Sequence, residues 1–218
     1  MICEEQMKGV IFMKLYDISM SINENIPVYG NKAGKGPVIT TVNDHSTSSI
    51  HESVISMNLH TGTHIDAPLH MIQGGSTFET IDISRLVTPC RVYDFTGAEE
   101  RITADDLRAK DIQPGSFILL KTRNSFFEGF DPRFVYVDAS AAAYLSDKGI
   151  IGVGIDSLGI ERAQPGHETH KTLLGSGIII LEGLRLADIM EGEYKLIALP
   201  LRITGTEASP ARAVLIEE

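Results

Sequence analysis

Three apolar runs constrain this chain's fold more than any other feature: Phe117 to Lys121, Ile150 to Ile155 and Gly177 to Leu181. None alternates cleanly between apolar and polar residues. Each therefore reads as a strand covered on both faces, as strands are when helices flank the sheet. Helix signals fall among them. Thr103-Ala-Asp-Asp106 has the form of a capping box opening a helix to about Lys110, and Ala139 to Lys148 reads as a helix stopped by Gly149. This part of the chain is α/β. Lys14 to Ser19, Val38 to Val42, Ser53 to Leu59 and Cys90 to Phe95 read as earlier strands. Tyr194 to Ile203 and Ala213 to Ile216 read as the last two. Residues 30 to 37, with three glycines and a proline, read as loop.

A chain of 218 residues can bury a sizeable core without disulfides or a structural metal. With no repeat and no linker, residues 13–218 read as one domain. Residues 1–12 read as a leader, with Met7 and Met13 as alternative starts. The net charge of −10 argues against nucleic acid and against an anionic membrane surface, both of which need clustered Lys and Arg. Acidic residues stand where a signal peptide would be basic, and no apolar run approaches the length of a membrane span, so the expected location is the cytoplasm. Two cysteines, Cys3 and Cys90, make no disulfide framework. Any metal must then be held by imidazole and carboxylate.

Those groups are concentrated in two places. Five of the seven histidines are His60, His64 and His70, then His167 and His170, and Asp66 lies within the first group. A helix does not fit the first group: Asp66 would sit about 240° round from His60, and Gly62 and Pro68 disfavour a helix interior. In an extended chain the offsets 0, 4, 6 and 10 are all even, so the four side chains share a face. Full extension would set His60 and His64 roughly 13 Å apart, so a turn at Thr61-Gly62-Thr63 is needed to bring them together. The expected layout is a strand ending near His60, a glycine turn, then an irregular segment carrying Asp66 and His70. The ligand chemistry suits Zn, Mn or Fe(II) with open positions, and a metal lowers the pKa of a bound water to about 7. His167 and His170, in a helix opening near Pro165, are equally eligible by helix geometry. His45 and His51 read as surface residues. Solvated loop histidines are the plainer alternative for the first cluster, but its even spacing favours ligation.

His60-Thr-Gly-Thr-His64-Ile-Asp66-Ala-Pro-Leu-His70 resembles the H-x-G-T-H-x-D-x-P-x-H signature of the cyclase family, which includes bacterial kynurenine formamidases and isatin hydrolases. Leu15-Tyr-Asp-Ile-Ser19 with Ile26-Pro-Val-Tyr-Gly30 is similar to that family's opening. Gly154-Ile-Asp-Ser157, His170 and Ile-Leu-Glu182-Gly-Leu are similar to its second half. The resemblance implies a swivelling β/α/β fold with a mixed, barrel-like sheet and a few flanking helices. It implies that His60, His64 and Asp66 form a first metal group. Asp66, His170 and Glu182 form a second, with Asp66 and Glu182 able to bridge. It selects His170 over His167 and makes His70 the proton donor and acceptor. One or two divalent ions per subunit, Zn or Mn, and a homodimer or homotetramer are implied in the same way.

The activity so implied is hydrolysis of an amide, formamide or lactam of a small aromatic substrate, as in an arylformamidase. A dehydrating cyclase or an ester or lactone hydrolase is the alternative within the family, and a closed, non-catalytic metal site is the alternative outside it. Family members that act on kynurenine derivatives carry a tryptophan near the segment aligned with Pro27-Val-Tyr29. This chain has no tryptophan; Tyr29 is the candidate substrate-binding aromatic in its place, with a plain loop aromatic as the equal alternative.

Overall fold

A computed structural model describes residues 13–217, so the expected leader at 1–12 lies outside the described residues. In chain order the strands are β1 (Lys14–Asp17), β2 (Val38–Asn43), β3 (Glu52–Ser56), β4 (His64–Asp66), β5 (Val87–Asp94) and β6 (Arg101–Ile102). They continue as β7 (Phe117–Lys121), β8 (Tyr136–Val137), β9 (Gly152–Ile155), β10 (Ile179–Glu182), β11 (Gly192–Pro200) and β12 (Ala208–Glu217). The helices are α1 (Ala104–Arg108), α2 (Ala139–Lys148) and α3 (Glu168–Gly175). The capping box at Thr103 is present, with Asp106 as its partner.

The main sheet runs β1-β12-β11-β5-β7-β9-β10-β4, and a β12–β4 pairing closes seven of its strands into a barrel. The four middle strands, β5, β7, β9 and β10, are parallel; the remaining pairs in this sheet are antiparallel. This is the mixed, barrel-like sheet with few helices that the resemblance implied. Closure leaves β4 and β10 without a free edge, so their backbone groups are satisfied within the barrel wall.

The apolar runs are covered on both faces, as their composition required. Phe117 and Leu119 of β7 pack in one buried cluster with Ile65, Leu181, Leu196 and Leu215. Ile118 and Leu120 pack in a second, with Leu145 of α2 and Leu173 of α3. The period-2 alternation of a strand divides each run between the two. β9 makes room on the first side with glycine: a Cβ on Gly152 would lie 2.2 Å from the Phe117 ring.

Three local expectations are corrected. The segment after the Gly62 turn is a strand rather than irregular, because Asp66, Ile65 and His64 pair with β10 on one side and β12 on the other. The preceding strand stops at Ser56, short of His60. The helix expected near Pro165 starts at Glu168, because Gly166 (φ 91°) and His167 (φ 51°) hold the approach out of helical geometry. The β2–β3 hairpin forms its own two-stranded sheet and leaves Val38, Ile39, Val42, Val54 and Ile55 exposed. Among the described residues no helix is long and apolar enough to cross a membrane.

Candidate metal centre

The register of β4 against β10 builds the site. Glu182 pairs with His64 and Ile180 with Asp66. Ile65 and Leu181 belong to the first apolar cluster and Ile180 to the cluster beneath α3. Residues of the opposite parity, His64, Asp66 and Glu182, therefore face the helix side, where α3 delivers His170. His64 Nε2 lies 3.3 Å from Glu182 Oε2 and 3.5 Å from Asp66 Oδ1. His170 Nε2 lies 3.3 Å from Glu182 Oε1 and 3.6 Å from Asp66 Oδ2. His60, on the turn before β4, places Nδ1 3.0 Å from Asp66 Oδ1 and Nε2 3.4 Å from Glu207. His70, in the short 3₁₀ turn Pro68–His70, stacks on His60 with ring centres 4.0 Å apart and lies 5.6 Å from His170.

The structure thus brings together all six residues to which the resemblance gave metal binding and proton transfer. His60, His64 and Asp66 form one set with mutually close ligand atoms, Asp66, His70 and His170 form a second that shares the aspartate, and Glu161, His167 and His170 form a third that shares His170. Tyr29 lines the adjoining cavity of about 370 Å³ together with His60, His70, His170 and Glu182. Its ring packs on Phe130 and Phe134, and its hydroxyl accepts the Ala163 N–H. His45 and His51 are exposed. Sequence reasoning missed Glu161, a 3%-exposed carboxylate bonded to His167 and to the backbone of His170. Its only local cue is an acid following the apolar Gly-Ile pair that precedes it.

The polar atoms of this cluster fit a cation. His64 donates Nδ1–H to the Gly62 carbonyl at 2.9 Å, so Nε2 is the nitrogen that faces the two carboxylates and the one that offers a lone pair once its proton leaves. His64 Nε2 and both Asp66 oxygens are buried without a hydrogen-bond partner. Two carboxylates meeting in a dry pocket need positive charge beside them, which protonated imidazoles supply in the metal-free protein and a bound cation would supply in their place. The protonation tendencies report the same field. Burial opposes a charged His64, but Glu182 and Asp66 outweigh it and lift the imidazole to about 9. Burial likewise opposes a charged His170, and Glu161 with Glu182 lifts it to about 10. Glu182 is held well below the usual carboxylate range: burial opposes this, and His170 and His64 prevail. His70 goes the other way, pushed down chiefly by burial.

A divalent cation takes imidazole as the free base. At pH 7 metal-free His64 and His170 lie below their raised values and carry protons, so metal uptake there is expected to release protons. Affinity is expected to rise as pH climbs toward 9 to 10. Calorimetric titration with zinc in buffers of different ionisation heat checks this; uptake without proton release contradicts it.

Two glycines let the walls of the site meet. Gly183 (φ 70°), directly after Glu182, would put a Cβ 2.4 Å from the carbonyl oxygen of Gly62. Thr63 ties the same place together: its hydroxyl donates to the Gly183 carbonyl at 2.6 Å and accepts the Met20 N–H at 2.8 Å. Gly183→Ala combines a left-handed penalty with a backbone clash. It is expected to cost about 3 kcal/mol in urea unfolding and to weaken metal retention.

With this geometry in hand, comparison with known proteins is specific. The cyclase family model matches residues 16–162. The kynurenine formamidase of Bacillus cereus is 32% identical over 201 residues, covering 91% of this chain and 95% of that protein. A solved structure described as a predicted metal-dependent hydrolase from Bacillus stearothermophilus is 54% identical, with TM-score 0.87, covering 94% of this chain and 99% of the other. An isatin hydrolase bound to thioisatinate shares the fold at TM-score 0.81 and 23% identity, covering 94% and 92%. The chain belongs to the cyclase family.

Proposed function

We propose that this protein is a metal-dependent hydrolase that cleaves the amide, formamide or lactam C–N bond of a small aromatic substrate, in the manner of an arylformamidase. The observation that carries the reading is the set of buried, unpartnered imidazole and carboxylate atoms opening onto a cavity large enough for a one-ring substrate. Similarity to kynurenine formamidases over nearly the whole chain supports the reaction class.

His60, His64, Asp66, His170 and Glu182 would hold one or two ions of the zinc or manganese type. When bound, such an ion supplies Lewis-acid polarisation of the scissile carbonyl and acidifies water. Burial keeps His70 neutral at pH 7, so it is ready to take a proton from the attacking water and return it to the leaving nitrogen. Tyr29, Met71 and Leu158 give the cavity an apolar wall for the ring. We extend the proposal to a homodimer or homotetramer, because a two-stranded hairpin with five exposed β-branched apolar residues is marginal alone. Light scattering tests that point. A cytoplasmic location, with Cys90 a free buried thiol, completes the reading.

A panel of N-formylkynurenine, isatin, formanilide and an aryl ester or lactone tests the function on metal-loaded protein. Turnover of a formamide or lactam above the ester is expected. Turnover of the ester or lactone alone, or a dehydration product, would overturn the C–N assignment.

A further inference from the structure

Glu161 stands between β9 and α3, outside the two ligand sets that share Asp66 but close to His167 and His170. Its Oε1 accepts Nδ1–H of His167 at 2.7 Å, and its Oε2 accepts the backbone N–H of His170 at 3.1 Å. His170 Nδ1 is buried without a hydrogen-bond partner, 3.5 Å from Oε1. The helix gains from this arrangement. His167, at the N-cap of α3, supplies no side-chain cap, and Glu161 brings a carboxylate to the first turn instead. His167 is held in the left-handed region (φ 51°, ψ 50°), a conformation unfavourable for any residue with a Cβ. Its bond to a fixed, buried carboxylate keeps it there, on the wall of the cavity that His60 and His70 also line.

The two nitrogens of His170 have separate demands on them. Nε2 faces Asp66 and Glu182, and presenting a lone pair there requires the proton to sit on Nδ1. A carboxylate behind a ligating imidazole fixes both tautomer and ring orientation. We propose that Glu161 is a positioning residue: it holds His170 with Nε2 toward Asp66 and Glu182, and it holds His167 against the cavity as a substrate contact. The inference rests on the metal-dependent reading above, and its main test is read without turnover.

The test uses the full-length cobalt(II)-loaded protein, with metal affinity from chelator competition and the visible absorption spectrum as readouts. Glu161→Gln is expected to weaken cobalt binding about 10- to 100-fold and to shift the bands, and Glu161→Asp to recover part of the affinity. His167→Ala is expected to keep affinity within about twofold and leave the bands unchanged. In the same variant KM for a turned-over aryl substrate rises about tenfold, the loss of one hydrogen bond, with a smaller change in kcat. Wild-type affinity and spectrum in Glu161→Gln, even with a lower Tm, would reduce Glu161 to a helix cap. Cobalt loss in His167→Ala equal to that in Glu161→Gln would make Glu161 and His167 ligands with His170 and overturn the positioning role. If Glu161→Gln does not fold, nitrogen-15 NMR of the His170 ring in zinc-loaded wild type decides: Nδ1–H supports the proposal and Nε2–H overturns it. Absence of turnover with every substrate would refute the proposed reaction and leave the cobalt result standing.

Discussion

Asp66→Ala is expected to bind no stoichiometric zinc or manganese and to lose turnover by about a thousandfold or more, the several kcal/mol that a Lewis acid contributes. Asp66 is common to two of the three close sets of ligand atoms, and it is the residue nearest in space to His60, His64 and His170 together. The fold itself should tolerate the change. Burial opposes a charged Asp66, but attraction to His60 and His64 outweighs it and holds the carboxyl below its ordinary range. Glu182 stays beside His64 and His170 after the change, so the metal-free protein loses only part of that attraction. Thermal melts separate the two effects. Metal-free variant and metal-free wild type should melt within a few degrees of each other, while the rise in Tm on adding zinc appears only in wild type. A variant that keeps its zinc and its rate would remove Asp66 from the site.

The second large effect is expected from His70→Ala, with the opposite signature in binding. A His70 ring nitrogen lies within 4.8 Å of Asp66 and His170 ligand atoms, whereas His60 and His64 reach Asp66 at 3.0 and 3.5 Å, and His70 leans on the His60 ring at the edge of the cavity. Loss of a positioned acid–base group lowers kcat about 10²- to 10⁴-fold. Metal content measured by atomic absorption should stay at the wild-type level. Wild-type kcat in this variant, or loss of its metal, would each remove the proton-transfer role.

What the sequence revealed divides along the range of the interactions involved. The Phe117–Lys121 strand and the Ala139–Lys148 helix were legible because their signals are local: an apolar run of strand length, and an alanine-rich stretch stopped by glycine. The shared face of His64 and Asp66 was legible from even spacing. That these residues sit on a strand was not, because β4 has three residues and owes its extended form to β10 and β12, more than a hundred residues away. Barrel closure is hidden for the same reason. The convergence of His170 and Glu182 on the first motif came from family resemblance, since no local pattern joins residues so far apart. Glu161 escaped notice because nothing local in Ile-Glu-Arg-Ala-Gln-Pro marks its acid as buried, whereas in the fold it is 3% exposed and bonded to His167 and the His170 backbone. The alternation of β3 was read correctly as a strand, yet both faces of its hairpin are exposed in one chain.

Reversible removal of metal tests the central claim most directly. Purified protein treated with a strong chelator and desalted should lose its turnover of the substrate identified by the panel. Zinc or manganese added back to one or two equivalents should restore it in proportion to the metal bound. Full turnover by protein that atomic absorption shows to be metal-free would contradict the account.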